Sequence, residues 1–267
     1  MASHHPASSP VAFDDEAPLH PNYRYVVDVA LKTVGTSAKV LDYGCGAGEV
    51  VVHGRKAGLD IVGADVFYAG SRSREIAESR GLLGKVVFDM PDDRLPFEDD
   101  SFDMVCANFV FEHVQDIDRA MSEVRRVLKP GGFFLNLLPT IGVLREGHCG
   151  VPFAHWLTGL PSVQTPYLLL WRTLGFGYHT QGKSRRQWAR DFSQWLRDYT
   201  IYRSKRAVYR SYRDKFDKVE RLDADFLAYR LEARGMRGAA RLARSRTLSW
   251  ISRTITFRLA GTVLLAA

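Results

Sequence analysis

The sequence predicts an α/β protein: a doubly wound, mostly parallel sheet with helices on both faces. Three observations predict it. Short apolar runs recur without polar alternation, helical patterns separate them, and a glycine-punctuated bend follows the first run. The runs at 38–41, 61–64, 86–88, 104–107 and 133–138 are rich in Val, Ile, Leu and Phe. They are too short for helices and suit strands buried on both faces. The first runs into Asp42-Tyr43-Gly44-Cys45-Gly46-Ala47-Gly48, where glycines accept positive φ and let the backbone press against a ligand. Dinucleotide loops are spaced G-x-G-x-x-G and set a pyrophosphate on a helix N-terminus. Here the spacing is G-x-G-x-G behind Asp42, a carboxylate that repels a pyrophosphate and suits a cationic or hydroxyl-bearing ligand. Of the intervening helical patterns, Ser71 to Arg80 is mostly polar, and Asp116 to Leu128 carries Ile117, Met121, Val124 and Val127 near a 3.6-residue period. Pro130-Gly131-Gly132 should stop the second. Asp42, Asp65, Asp89 and Asn108 all fall at strand carboxyl ends, the edge where such sheets bind ligands.

Five segments in order resemble the class I S-adenosylmethionine-dependent methyltransferases. Val40 to Glu49 is similar to their first signature, and Ile61-Val62-Gly63-Ala64-Asp65 to the second strand with its terminal acid. Val86-Val87-Phe88-Asp89-Met90 resembles the third. Leu95-Pro96-Phe97 and Ser101 to Asn108 resemble the approach to the fourth, after which Phe111-Glu112-His113-Val114 is expected to open a helix. Leu128 to Phe134 resembles the turn into the fifth. The likeness is strong over roughly 23–140. It implies a Rossmann-like fold of seven strands, the seventh antiparallel and inserted between its neighbours, and S-adenosyl-L-methionine as cofactor. It implies that Asp42 orients the glycine backbone or the cofactor's amino group, and that Gly44, Gly46 and Gly48 let the chain approach it. Asp65 would then take the ribose hydroxyls, and Asp89 the adenine amino group with Met90 on the ring. Tyr43, Cys45, Val66, Asn108, Phe109 and His113 complete the expected cofactor-binding set.

The chain reads as a leader (1–21), a cofactor-binding core (22–140), an insertion or lid that binds the acceptor (141–200), and the rest of the core with a basic helical insertion (201–267). The leader, with His4 and His5, has no apolar segment and is not a signal peptide. The insertion is rich in aromatic residues and histidine, and for most of its aromatics core filling is the alternative. Beyond it, Ser204 is expected to cap a helix bearing Val208, Tyr209, Tyr212 and Phe216. Lys218–Leu222 and Thr262–Ala266 read as the last two strands. Arg234, Arg237, Arg241 and Arg244 recur at helical spacing between them, on an outer face. Three cysteines, Cys45, Cys106 and Cys149, argue against a disulfide framework and for a cytoplasmic enzyme.

Charge is uneven. The chain carries +7, yet residues 183–258 hold 21 basic and 8 acidic residues. Solvated helix faces explain that, or else a surface for an anionic partner, RNA or a membrane. Residues 261–267 are too few to span a bilayer, which takes about twenty apolar residues. In methyltransferases of this kind that act on nucleic-acid bases, an N/D-P-P-Y/F motif follows strand four. The corresponding Asn108-Phe109-Val110-Phe111 has no proline, so the resemblance implies that a nucleic-acid acceptor is disfavoured and that a small-molecule, glycan or lipid-linked acceptor remains, methylated at oxygen. His113, His148 and His155 are the candidate catalytic bases. No paired metal-ligand spacing is present, and no metal is expected.

Overall fold

The structure is a computed structural model describing residues 20–68, 71–180 and 182–267. Most of the expected leader, including His4 and His5, lies outside the described residues. Helix α1 (Pro21–Val34) opens the described chain, with the His20 ring accepting from Asn22 N–H at 3.3 Å and Pro21 at its first position. Then follow β1 (Lys39–Tyr43), α2 (Glu49–Lys56), β2 (Asp60–Asp65), α3 (Ser73–Ser79), β3 (Val87–Asp89), β4 (Phe102–Asn108), α4 (Ile117–Val127) and β5 (Leu128–Leu138). After them come α5 (Pro161–Thr173), α6 (Arg185–Tyr199), α7 (Lys205–Arg213), β6 (Val219–Arg221), α8 (Asp223–Glu232), α9 (Arg237–Ala243), α10 (Ser249–Leu259) and β7 (Thr262–Ala266). The seven strands form one sheet in the order β3-β2-β1-β4-β5-β7-β6. β1 pairs in parallel with β2 and β4, and β2 with β3. The final strand is inserted between β5 and β6, as expected.

The chain divides into two compact units. One comprises residues up to Asn108 with Arg119–Asn136 and the last two residues; the other comprises Phe109–Asp118 and Leu137–Leu265. In the first, Val40, Leu41, Met104 and Val105 are fully buried, which accounts for the unbroken apolar runs of β1 and β4. Gly63 in β2 is set by packing: a Cβ there would meet Cys45 Cβ at 2.5 Å and Val51 Cγ2 at 2.9 Å. The strand therefore passes directly beneath the glycine bend only because that side chain is missing.

Two expected boundaries move. Residues Phe111–His113 form a turn, not a helix start, and α4 begins at Ile117. Phe109 is in the left-handed region at φ 57°, and His113 N–H donates to the Val110 carbonyl at 2.8 Å, so the chain curls before it can propagate a helix. Pro130-Gly131-Gly132 lies inside β5, which starts at Leu128 directly after α4. Lys129 pairs with Asp103 at 2.8 Å at this end of the strand, and proline is tolerated at such a position because one missing N–H leaves the rest of the ladder intact.

In the second unit the aromatic segment builds a core of its own. Trp188 is fully buried with Cys149, Val151, Ala154, Leu168 and Leu196, flanked by Tyr167, Trp171, Phe192 and Trp195. Its indole N–H donates to the Tyr178 carbonyl at 2.7 Å. Ser184 and Ser204 cap α6 and α7 through their side-chain oxygens. Val208 and Tyr212 form the buried face of α7, while Phe216 packs beyond its end. Buried Asp223 accepts from Thr262 Oγ1 at 2.9 Å and Val263 N–H at 2.8 Å and pairs with Arg221, tying α8 to β6 and β7. All three cysteines are buried and unpaired. Among the described residues no helix is long and apolar enough to cross a membrane.

Candidate active site

Each unit holds a cluster of polar groups that its own fold positions. In the first, β1 ends at Asp42 and Tyr43, and Gly44, Gly46 and Gly48 turn the chain at φ 73°, 54° and 85°. The N–H groups of Gly44 and Cys45 both reach the Ala64 carbonyl, at 2.8 and 3.2 Å. Asp65, at the end of β2, closes the bend. Its Oδ2 accepts from Gly46 N–H at 2.8 Å and its Oδ1 from Phe67 N–H at 2.7 Å. An ionised carboxylate has about four acceptor positions, so two remain for a ligand. Burial raises the Asp65 pKa against the opposing pull of those two amides.

Asp42 is 2% exposed and its one side-chain hydrogen-bond partner among the described residues is the Cys106 thiol, 3.7 Å from Oδ1. Burial pushes its pKa up to about 8, with the charges of Asp65 and Glu49 adding to the rise. It is an acid short of a cation. Asn108, at the end of β4, has a buried Oδ1 with no hydrogen-bond partner among the described residues. Met90 is buried and donates its N–H to the Asp65 carbonyl at 2.9 Å, while Val66 is exposed. Arg74 holds both oxygens of Asp89, at 3.2 and 3.0 Å. Glycine approach, two hydroxyl-accepting positions, a buried acid at Asp42 met by a thiol and an unpartnered Asn108 Oδ1 fit a nucleoside that carries an ammonium group.

The second unit places Phe109 in the left-handed turn after β4, its N–H on the Leu137 carbonyl at 2.8 Å, and brings His113 and His148 together, with ring centroids 5.0 Å apart. His113 Nδ1 lies 2.6 Å from the Tyr199 carbonyl. A carbonyl only accepts, so Nδ1 carries the proton and Nε2 offers a lone pair. His148 Nδ1 lies 2.7 Å from Glu146 Oε1, which also accepts from Tyr202 OH at 2.6 Å, while Oε2 takes Cys149 N–H at 2.5 Å. Glu146 is fully buried, yet these donors overcome burial and hold its pKa down at about 2. Burial pulls His148 down, but the Glu146 bond prevails and raises it; burial leaves His113 lowered. Glu112, 2% exposed, keeps a buried Oε2 without a partner among the described residues. Burial raises its pKa to about 7.

His155 stands apart. Its Nε2 sits 3.3 Å from the Ile141 carbonyl and its ring packs on Tyr202 at 4.5 Å, so it props the cluster from behind. Sequence reading missed Gly63, Glu146 and Tyr202 and gave Glu112 only a helix-opening place. A glycine inside an apolar strand run was a usable signal for Gly63. No local pattern joins Glu112, Glu146 and Tyr202.

Residues 41–136 match the family described as "Methyltransferase domain". A curated relative, methyltransferase GfsG of Streptomyces halstedii, is 42% identical over 106 residues, covering 37% of each chain. The sterol 24-C-methyltransferase ERG6B of Gibberella zeae is 40% identical over 102 residues, 36% of this chain and 26% of that one. The ubiquinone/menaquinone biosynthesis C-methyltransferase UbiE of Idiomarina loihiensis is 35% identical over 119 residues, 43% of this chain and 47% of its own. The aligned part therefore spans less than half of each of these relatives. A solved geranyl diphosphate C-methyltransferase from Streptomyces coelicolor aligns with 91% of this chain and 74% of its own at 15% identity, with a TM-score of 0.48.

Proposed function

We propose that the chain, whose residues 41–136 match a methyltransferase-domain family, is a class I S-adenosylmethionine-dependent methyltransferase that transfers the methyl group of that cofactor to a small-molecule acceptor. The observation that carries this is Asp42: a buried acid with no basic group paired to it among the described residues, set directly behind three left-handed glycines. Bound S-adenosylmethionine supplies an electrophilic methyl on a sulfonium, and collinear positioning of donor and acceptor accounts for much of the rate. On this reading Asp42 holds the cofactor's ammonium, and the bend at Gly44, Cys45, Gly46 and Gly48 lies along its methionine. Asp65 accepts from the ribose hydroxyls, Asn108 Oδ1 accepts a further N–H or O–H, and Met90 and Val66 flank the base. Asp89 accepts once at each oxygen from Arg74 and keeps further acceptor positions for the adenine amino group.

The acceptor belongs to the second unit, in which residues 141–200 supply an aromatic lining and His113 and His148 the polar groups. The methylated atom is an oxygen or an activated carbon, the latter being the chemistry named for the sterol and quinone relatives. Calorimetric titration with S-adenosylmethionine and with NAD, followed by acceptor screening with labelled donor, tests the reading. Uptake of NAD alone, or no uptake of either, overturns it.

One feature favours an additional contact with an anionic membrane surface. α10 buries Ser252 and Thr256, both hydrogen-bonded, and exposes Trp250 and Leu259 at 67% and 65%, with Ile251 and Ile255 partly exposed. Arg253 and Arg258 lie on the same helix, a combination suited to an interfacial helix. Cosedimentation with anionic vesicles that falls with salt supports this contact, and equal partition onto neutral vesicles removes its electrostatic part.

A further inference from the structure

We propose that Glu112, His113 and His148 form a three-ligand site for a divalent transition-metal ion of the Zn²⁺, Fe²⁺ or Mn²⁺ class. The site lies wholly in the second unit, and its existence does not depend on the methyl-transfer reading. One ligand atom from each of the three residues falls within 4.8 Å of the others. Each histidine has its Nδ1 committed, His113 to the Tyr199 carbonyl at 2.6 Å and His148 to Glu146 at 2.7 Å. That leaves Nε2 of each ring as the donor atom. A ring fixed through Nδ1 by a carbonyl or carboxylate, with Nε2 left over, is the arrangement that metal-ligating histidines adopt, because the outer partner sets both tautomer and orientation.

The third group makes the cluster more than a histidine pair. Glu112 is 2% exposed and its Oε2 has no partner among the described residues. A buried carboxylate oxygen without a donor is costly, and a cation is what relieves it. Among the described residues no Lys or Arg pairs with it; the ionisable groups acting on it are His148 and Glu146. Trp195 lies against one side, with its ring 5.9 Å from His113 and 4.8 Å from His148.

Donor chemistry sets the ion class. Two imidazole nitrogens and one carboxylate oxygen suit Zn²⁺, Fe²⁺ or Mn²⁺ and disfavour Ca²⁺ and Mg²⁺, which prefer all-oxygen sites. Three protein ligands leave coordination open for a further oxygen donor. If the methyl-transfer reading holds, that position can take an acceptor oxygen and fix its orientation. Spacing alone carries no signal of this set, since Glu112 and His113 are adjacent and His148 follows 35 positions later, unlike the two close pairs of a structural zinc site. The expectation of no metal rested on that spacing.

The test uses the full chain, stripped with chelator, with His4→Ala and His5→Ala introduced so that the tail cannot bind. Zn²⁺ is titrated calorimetrically, and Co²⁺ is followed by its visible absorption. One equivalent of Zn²⁺ and a single Co²⁺ ligand-field spectrum are expected. Glu112→Gln should weaken Zn²⁺ at least tenfold and His148→Ala more. Glu146→Gln, which touches no ion and only positions His148, should weaken it by about 10–100-fold. Absence of a stoichiometric ion overturns the proposal, as does affinity unchanged in both Glu112→Gln and His148→Ala. S-adenosylmethionine titration of the same samples separates the two readings: cofactor uptake without metal uptake sinks only the metal site, and metal uptake without cofactor uptake sinks only methyl transfer.

Discussion

Two buried carboxylates, one in each unit, stand at opposite ends of the ionisation scale. Asp42 is met only by a thiol, and its pKa rises to about 8. Glu146 is no less buried, yet an imidazole, a phenol and a backbone amide donate to it, and its pKa falls to about 2. Burial alone disfavours both anions; the number and strength of donors decides whether the anion survives. Asp65 sits between, with two backbone donors that moderate its upward shift without reversing it. A satisfied buried anion is part of the scaffold, whereas an unsatisfied one is an opening for a ligand. Asp42 and Glu112 Oε2 belong to the second kind; Asn108 Oδ1, a neutral amide oxygen without a partner among the described residues, is a further open acceptor.

The largest effect should come from removing the satisfied anion. Glu146→Ala strands the His148 ring, the Tyr202 hydroxyl and the Cys149 amide at once. Breaking one partner out of a buried pair costs about 3–5 kcal/mol, so denaturant unfolding should show a loss of that size in the second unit. Tryptophan fluorescence reads it directly, because Trp195 packs on His148 at 4.8 Å. A change below about 1 kcal/mol, the net worth of one ordinary hydrogen bond, would mean that Glu146 is hydrated and that the contrast with Asp42 is not one of donor number.

Next comes the intermediate acid. Asp65→Ala removes the brace on Gly46 and Phe67 together with the expected ribose acceptor. Loss of hydrogen bonds to a charged group is worth about 1.5–3 kcal/mol, so S-adenosylmethionine affinity should fall by roughly 10- to 150-fold. Asp65→Asn should lose less, since one oxygen can still accept from Gly46 N–H. Equal affinity for Asp65→Ala and the parent chain would assign Asp65 to the scaffold alone.

These sites differ in how they could be read from the chain. The bend from Asp42 to Gly48 is contiguous, and its chemistry follows from spacing: positive φ at three alternate glycines can be inferred before any fold is known. Sheet edges gave Asp65, Asp89 and Asn108, because a strand's end is visible where an apolar run stops. The Asp89–Arg74 pair was not visible, since Arg74 comes from a mostly polar helix where an arginine is unremarkable. β6 and β7 were found from alternation and from the apolar tail, whereas β5 hid its start behind Pro130, a residue that ordinarily ends elements. The second cluster was only half legible. His113 and His148 stood out as histidines, but Glu146 and Tyr202 acquire meaning only through burial and a contact spanning 56 positions. Charge patterning was legible at Arg244, which is exposed as expected of an outer face; its pairing with Asp225 at 3.2 Å and with Glu232 was not.

The gentlest and most specific probe is the titration of Asp42 itself. In the cofactor-free chain its pKa, about 8, lies above the value of about 3.9 for an unfolded aspartate, so the folded state holds the proton more tightly. Its contribution to stability is therefore full below the unfolded pKa and is lost as pH rises through about 8. A ligand ammonium needs the carboxylate. Below that pH the site must release a proton to bind, and affinity should drop by up to about tenfold per unit, since one pKa unit is worth about 1.36 kcal/mol. Above it the ligand's own amine, with a pKa of about 7.7–8.0, begins to lose its proton, and affinity should decline again. Calorimetry in buffers of different ionisation enthalpy should thus find an affinity maximum near neutral-to-alkaline pH, with proton release on its acid side and uptake on its alkaline side. Asp42→Asn should erase the acid limb and keep the alkaline one. An acid limb that persists in Asp42→Asn would transfer the ammonium to another group, and Asp42 would then be a buried neutral acid that holds the bend closed.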